Sequence, residues 1–478
     1  MKLVSTAQMK AIEKEADANG LTYDQMMENA GQGLMEVVQD LPIESSDREV
    51  FGLIGPGNNG GDTLVALIGL AQDGWQTHAY IIKRKNDDLI NQLEGAGGGL
   101  IWADEDKHFQ DLNAFLQTSS VILDGVLGTG VKLPLKSDIA AVLAEAQAVL
   151  DEMEDRPYVI AVDCPSGIDC DTGEAAAESI RANLTVTMAA VKQGLLKLPA
   201  YELVGDLQVV DIGLPEDLPS FTSVQAEAAE EDMVAALLPE RPLDSHKGTF
   251  GTVLVVSGSV NYTGAALLAG QAAYRVGAGL VRMAVPSPLH GTLAGHFPEA
   301  TWILLPHELG VIAEDASEVL MKNLEHVTAL LIGPGFGTED TTKAFMEKFF
   351  SGKSSSKKST ARVGFIQSES EKKKDTNSEL PALVADADGL KLLSKISGWH
   401  KLLPAPAVLT PHPGEMSVLT GLSKDEVQKD RQGVALKFAK EWGHVVVLKG
   451  AFTVIASPDG RVTMIPVASP ALARAGTG

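Results

Sequence analysis

Two consecutive α/β domains, each a parallel sheet layered between helices, are what this sequence predicts, and three observations carry that prediction. Short continuous apolar runs rich in β-formers alternate with helix-length segments, as strands buried on both faces require. The alternation runs twice, and the two series are separated by a Pro-rich and then acidic stretch, 215–233, that has no strand signal. At 478 residues with 45% hydrophobic content, the chain is longer than one ordinary core accommodates. The domains are therefore placed at 1–222 and 223–478.

Taken in order, the first helix is announced at Ser5, Thr6, Ala7 and Gln8, a capping-box spacing, with Met9, Ile12 and Ala16 as its apolar stripe and Gly20 closing it. "EVFGLIG" (49–55), "THAYIIK" (77–83), "SSVILDG" (119–125) and "YVIAVDC" (158–164) are the first strands, and "TLVALIGLAQDGW" is one of the helices between them. A weaker sheet pattern follows in "LTVTMAA" and "DLQVVDIGLP". The second series opens with "GTVLVVSGS" (251–259) and continues through "GLVRMAVP", "TALLIGPG", "ALVADADG", "AVLTPHPG" and "HVVVLKG", with helical patterns such as "TGAALLAGQAAYRVGAG" between them. The pentapeptide Leu-Ile-Gly-Pro-Gly occurs at 53–57 and again at 331–335, which suggests similar strand exits but is too short to define a repeat. One stretch interrupts the second series: residues 351–379 are rich in Ser and Lys with few large apolar side chains. They are expected to form a solvated surface insert, in preference to a nucleic-acid or nuclear-targeting patch.

Charge narrows the partners. Lys and Arg number 39 against 63 Asp and Glu, a net charge of -24, and the isoelectric point is near 4.8. Such a surface repels phosphate backbones and anionic lipids, so neither nucleic acid nor membrane is expected as a partner. Small anionic ligands need a local positive field from backbone N–H groups or a bound cation. The two cysteines, Cys164 and Cys170, are read as small buried thiols of a reducing cytosol in preference to a disulfide or a metal pair. The first twenty residues lack the apolar core of a signal peptide and no run is long and uncharged enough to span a bilayer, so the expectation is a soluble, cytoplasmic protein.

Open parallel sheets bind ligands beyond the carboxyl ends of their strands. Three polar elements of the first domain occupy such ends: "GPGNNGGD" (55–62), Asp124 of "ILDGVLGTG", and Asp163 of "AVDCPSGID". In the first, Gly55, Gly57, Gly60 and Gly61 are expected to allow positive φ and close backbone approach, while Asn58 and Asn59 offer side-chain oxygens. The loop is neither a Walker loop nor the spaced glycine fingerprint of dinucleotide folds. Asp62 by itself is read as a helix cap. The Asp124 carboxylate, the Asn59 amide oxygen and the Ser166 hydroxyl or nearby carbonyls would make a hard-oxygen site for an alkali or alkaline-earth cation. Asp163 is left as a general acid or base.

These residues carry a resemblance. "GPGNNGGD", "DGVLGTGVKLP" and "VDCPSGIDCDTG", in that order, resemble the hydrated-NAD(P)H epimerase family. The long segment beginning "HKGTFGTVLVVSGS", with "LIGPGFG", "ADADGL", "TPHPGE", "LKGAFT" and "ARAGTG", resembles the ADP-dependent hydrated-NAD(P)H dehydratases. The resemblance covers nearly the whole chain and implies a Rossmann-like three-layer α/β/α domain followed by a ribokinase-like α/β domain. It implies interconversion of the R and S epimers of NADHX and NADPHX, then dehydration of the S form with ADP split to AMP and phosphate. Asn58, Asn59, Gly60, Gly61 and Asp62, and the loop Gly128, Thr129, Gly130, Val131, Lys132, Leu133 and Pro134, would bind the hydrated nucleotide, with Asp163 as the proton-transfer residue. Asn59, Asp124 and Ser166 would hold potassium. Ala265, Gly335 and His412 match positions that contact the S hydrate, and Lys449, Gly450, Ala451, Phe452 and Thr453, with Gly478, match the ADP-binding segments; magnesium is a further candidate cation and a homo-oligomer a candidate assembly. Taken singly, Ala265 is equally a packing residue, His412 a satisfied loop histidine and Lys449 a solvated strand end.

The chain stops on "ALARAGTG", and the family pattern continues there with an Asp that serves as acid or base in water elimination. The expectation is therefore that the second domain is incomplete at its carboxyl end and that the 478-residue polypeptide epimerises without dehydrating. Two rival assignments stand beside this one. The second domain could be a vitamin or sugar kinase, against which "TPHPGE" and "LKGAFT" argue; the first could be a non-catalytic binding module, against which Asp163, Asn59 and Asp124 argue.

Overall fold

A computed structural model describes residues 1–351 and 380–474. The Ser/Lys-rich insert beyond Ser351, and Gly478, lie outside the described residues. The chain divides into two compact units, Met1–Glu230 and Glu231–Gly478. Among the described residues, no helix is long and apolar enough to cross a membrane.

The first unit is built on seven strands: β1 (Glu49–Ile54), β2 (Gln76–Ile81), β3 (Gly99–Trp102), β4 (Val121–Gly125), β5 (Tyr158–Val162), β6 (Leu184–Met188) and β7 (Asp206–Val210). They lie in the order β3-β2-β1-β4-β5-β6-β7, and every pair is parallel. The chain runs outward from β1 in one direction and from β4 in the other, so the crevice between them is the topological switch point, where a ligand site belongs. The register sets Leu53 of β1 beside Asp124 of β4, and Asp124 beside Ala161 of β5.

Apolar residues on both sides of each pleat explain why these strands are central. Val50 and Ile54 pack into one core with α1 (Thr6–Ala18), α2 (Tyr23–Gln39) and α3 (Asn58–Gln72), whereas Phe51 and Leu53 enter a second core with Leu112, Leu116, Val142 and Leu143. The Ser5–Gln8 capping box forms, as its spacing predicts, and Met9, Ile12 and Ala16 are buried. A second capping box at Thr22 and Gln25 starts α2.

In the second unit the strands of the main sheet are β8 (Thr252–Val256), β9 (Leu280–Pro286), β10 (Thr301–Leu305), β11 (Ala329–Ile332), β12 (Ala382–Ala385), β13 (Val408–Leu409), β14 (Val445–Leu448), β15 (Val454–Ala456) and β16 (Val462–Met464). They run β16-β15-β14-β13-β12-β11-β8-β9-β10, parallel from β14 to β10, with β15 and β16 antiparallel. The switch point falls between β11 and β8. Both units are thus the α/β class that the alternation of runs predicts.

Candidate active sites

The first site begins where β1 ends. The chain turns at Gly55, Pro56 and Gly57, and α3 starts at Asn58 with Gly57 as its N-cap. None of Gly55, Gly57, Gly60 and Gly61 has positive φ, which corrects the expectation for this loop. Close approach explains Gly55, Gly60 and Gly61 but not Gly57, where a Cβ would meet nothing: one at Gly55 would lie 1.7 Å from the Val126 carbonyl oxygen, and one at Gly60 would lie 2.2 Å from the Gly55 carbonyl oxygen. Asp62 is also corrected, because Gly57 occupies the cap position and Asp62 stands a turn inside the helix, buried.

A cavity of about 380 Å³ opens over this turn, a volume typical of small-molecule sites. Asn58, Asn59 and Asp62 of α3, the loop from Gly128 to Val131, and Asp163 line it, joined by Lys10, Glu13, Tyr23, Met27 and Lys192. Gly60 and Gly61 face neighbouring chain (Gly55 and Met27) and Lys132, Leu133 and Pro134 lie past the lining.

Beside the cavity the expected oxygen ligands converge on one peptide. The Asn59 side-chain amide donates to the Leu127 carbonyl at 3.0 Å, and the Leu127 N–H donates to the Ser166 hydroxyl at 2.8 Å. That hydroxyl in turn donates to Asp124 Oδ1 at 2.5 Å, while the Ser166 N–H donates to Oδ2 at 2.8 Å. Burial pushes the Asp124 carboxyl above its ordinary value, partly offset by the Ser166 hydrogen bonds. Among the described residues, Asn59 Oδ1 is buried with no hydrogen-bond partner. A buried acceptor without a donor costs about 1–3 kcal/mol, and a cation among amide, hydroxyl and carboxylate oxygens would remove that cost.

Asp163 follows β5 with φ of 62°, a left-handed conformation that few non-glycine residues adopt. Its N–H is tied to the Val186 carbonyl at 2.7 Å. Three donors converge on its Oδ1: Thr187 Oγ1 at 3.2 Å, the Met188 N–H at 3.2 Å, and the Lys192 ammonium. Lys192 is 1% exposed and also donates to Thr187 Oγ1 at 3.0 Å and the Met188 carbonyl at 2.8 Å. Asp163 Oδ2 has no hydrogen-bond partner among the described residues, which leaves one oxygen of a rigidly held carboxylate for a ligand. Strain of this kind, fixed by surrounding bonds, is a feature of functional sites.

Lys192 and Glu13 are the participants that sequence reasoning missed. Lys192 belongs to the two-residue strand Val191–Lys192, paired parallel with Leu3–Val4, which brings the start of α1 to the cavity. The available signal was a lysine inside the mostly apolar "TMAAVKQGLL". Burial raises the Glu13 carboxyl above its usual range, and the Asp163 charge adds to this while Lys192 opposes it.

In the second unit three adjacent strands deliver a polar set at their carboxyl ends. Asp386 follows β12, Thr410 follows β13 and Lys449 follows β14; Asp386 Oδ1 accepts from Thr410 Oγ1 and from Lys449 Nζ, both at 2.8 Å. Lys449 is thus paired and not a solvated strand end. Its loop, Lys449 to Thr453, is pinned by Arg431, which donates to the Leu448 carbonyl at 2.9 Å and the Ala451 carbonyl at 2.7 Å. Thr453 Oγ1 closes the turn on the Gly450 carbonyl at 2.9 Å, and Phe452 takes a positive φ of 53°. Gly335 has φ of 69°, and a Cβ there would sit 2.8 Å from the Ala265 Cβ, so these two predicted positions adjoin.

His412 caps the helix Pro413–Thr420 with its side chain, Nδ1 accepting from the N–H groups of Gly414 at 3.0 Å and Glu415 at 3.2 Å. The ring proton therefore sits on Nε2, 3.3 Å from the buried Glu415 Oε1. Beyond β8, at the switch point, the hydroxyls of Ser257 and Ser259 are buried without hydrogen-bond partners among the described residues. No sequence signal beyond "VSGS" distinguishes them.

Comparison with known proteins supplies two family matches. Residues 23–194 match the family described as "YjeF-related protein N-terminus", and residues 253–359 and 363–478 match "NAD(P)H-hydrate dehydratase". A bifunctional NAD(P)H-hydrate repair enzyme of Moorella thermoacetica is 34% identical, over 100% of this chain and 86% of that protein. One from Coxiella burnetii is 32% identical, over 100% of this chain and 87% of that protein. A crystal structure of the ADP/ATP-dependent NAD(P)H-hydrate dehydratase of Bacillus subtilis, with ATP and magnesium, is 30% identical over 53% of this chain and 76% of that one, with a TM-score of 0.41.

Proposed function

Because the chain belongs to the bifunctional NAD(P)H-hydrate repair enzymes, we propose that its first unit interconverts the R and S hydrates of NADH and NADPH in the cavity around Asp163. Its second unit then removes water from the S hydrate at the strand ends around Lys449, with ADP as co-substrate. The observation that carries the first assignment is the state of Asp163: Oδ1 is fixed by three donors, and Oδ2 is left to face a ligand.

Hydration of a dihydronicotinamide places a hydroxyl on a ring carbon next to nitrogen. Inverting that carbon requires proton movement at the hydroxyl oxygen, and Asp163 Oδ2 is the group held ready for it. The mouth of α3, from Asn58 to Asp62, presents helix N-terminal N–H groups to the anionic part of the nucleotide, in a protein whose net charge of -24 would otherwise repel it. Gly128 to Val131 close the other side. Asn59 Oδ1, Asp124 and Ser166 are the residues that would hold potassium, which supplies a fixed positive charge beside that anion; the unpartnered Asn59 oxygen is the support for it.

For dehydration, Lys449 and the N–H groups of Gly450 to Thr453 would take the ADP phosphates, and Ala265, Gly335 and His412 the hydrate. Splitting ADP to AMP and phosphate converts the hydroxyl into a better leaving group. A cytoplasmic setting accords with the two unpaired thiols Cys164 and Cys170.

Chromatographic resolution of the epimers tests the assignment. Pure R hydrate incubated with the protein and potassium should yield S hydrate without ADP, and Asp163→Ala should bind the nucleotide but not invert it. Inversion that persists in Asp163→Ala would refute it.

A further inference from the structure

The first unit's cavity contains a second carboxyl whose surroundings are the reverse of those of Asp163. Asp62 enters from α3 and lines the same space. Where Asp163 accepts from three donors, one of them an ammonium, the Asp62 carboxyl has no hydrogen-bond or ion-pair partner among the described residues. Of the three carboxyls that line the chamber, Glu13, Asp62 and Asp163, Asp62 and Asp163 are held under opposite conditions, and such a pair divides into a proton donor and a proton acceptor.

We infer that Asp62 and Asp163 act as an acid–base pair across this cavity, Asp62 giving the proton and Asp163 taking it, so that inversion uses two carboxyls and not one. The inference rests on the epimerase assignment of the cavity. The charged and titratable groups around Asp62 agree with it. Glu13 and Lys10 of α1 and Tyr23 of α2 line the space, and Lys192 and Arg84 are the nearby cations. Burial, followed by the negative charges of Asp163 and Glu13, holds the Asp62 carboxyl well above the usual range, and the two cations oppose this only in part. This setting favours the neutral, proton-carrying form of Asp62 over its carboxylate.

The step balances. Asp62 gives its proton to the hydrate's hydroxyl as the C–O bond breaks, the ring nitrogen's lone pair forms a C=N bond, and water leaves. A water molecule then adds to the opposite face of that carbon; the C=N electron pair returns to nitrogen, and Asp163 takes the proton that the water releases. The net change on the protein is one proton moved from Asp62 to Asp163, restored by exchange with solvent.

The test is the rate of inversion against pH for wild type, Asp62→Asn and Asp163→Asn, in the full chain. Wild type should give a bell-shaped kcat/KM whose two apparent pKa values belong to the pair. Asp62→Asn should lose the alkaline falling limb and about 100-fold or more in kcat with KM little changed. It should also melt no lower than wild type, because an amide replaces a carboxyl that is buried without a partner. Retention of wild-type kcat in Asp62→Asn, a loss confined to KM, or a wild-type profile with no alkaline limb would each overturn the pair. The last of these needs no substitution. Failure of the wild type to interconvert the epimers would instead remove the epimerase assignment itself, which separates the two claims.

Discussion

Replacing Lys192 by Met leaves a carboxylate in a crowded site without its cation. Lys192 is 1% exposed and Asp163 13% exposed, so little water can take the ammonium's place. The substitution also removes donors from Thr187 Oγ1 and the Met188 carbonyl. Unpairing a buried ion pair by deleting one partner costs about 3–5 kcal/mol, and the partial exposure of Asp163 puts this case near 3. For a unit spanning Met1–Glu230, that corresponds to a fall of about 6–12 °C in its melting temperature. Differential scanning calorimetry measures the loss. The double variant Lys192→Met with Asp163→Asn should melt higher than Lys192→Met alone, because no unpaired charge remains. A loss under about 1 kcal/mol, the size of one ordinary hydrogen bond, would refute the claim that Lys192 is the counter-charge that holds Asp163.

Four further outcomes are expected. Gly60→Ala places a Cβ 2.2 Å from the Gly55 carbonyl oxygen, backbone that cannot swing aside, so the first unit should lose about 1–3 kcal/mol and epimerisation should fall, as calorimetry and the epimer assay would show. Exchanging potassium for tetramethylammonium should raise the hydrate's KM and lower the first unit's melting temperature, and Asn59→Ala should abolish that dependence; no ion effect in wild type would contradict the cation site. Lys449→Met should weaken ADP binding, read by isothermal titration calorimetry, and leave ADP-independent epimerisation unchanged. His444 is buried, with Nδ1 accepting from the Ala407 N–H at 3.1 Å and Nε2 2.8 Å from the His400 carbonyl, and burial holds its pKa below the ordinary value. The unfolded chain therefore takes up a proton near pH 6.5 before the folded one does. Its contribution is complete above that pH and is lost as pH falls toward the folded value, so denaturant titrations from pH 7 to 5 should give a flatter slope for His444→Gln than for wild type.

Much of this was legible in the sequence for stated physical reasons. Strands such as Glu49–Ile54 are apolar on both faces and read as continuous runs, whereas β3 and β10 were missed because an edge strand buries less: every residue of Gly99–Trp102 is only half-buried, and Thr301 and Leu304 are exposed. Of the two reasons for the glycines of the α3 turn, close approach holds and positive φ does not, because sequence gives no means of telling one from the other. Asp62 was taken for a cap since its distance from the strand end left the helix start open; with Gly57 as the cap it becomes a cavity residue. Lys192 was out of reach, because only the pairing of Val191–Lys192 with Leu3–Val4 shows that its side chain meets Asp163, a residue 29 positions earlier.

The most direct test is a crystal structure of the protein with a hydrated nicotinamide nucleotide in potassium buffer. The hydroxyl-bearing ring carbon should lie over Asp163 Oδ2, on the side opposite the Lys192 ammonium, with the nucleotide's anionic part against the mouth of α3 and Gly128 to Val131. A nucleotide bound with its nicotinamide end in solvent and its phosphates at Asp163, or bound outside this cavity, would contradict the account.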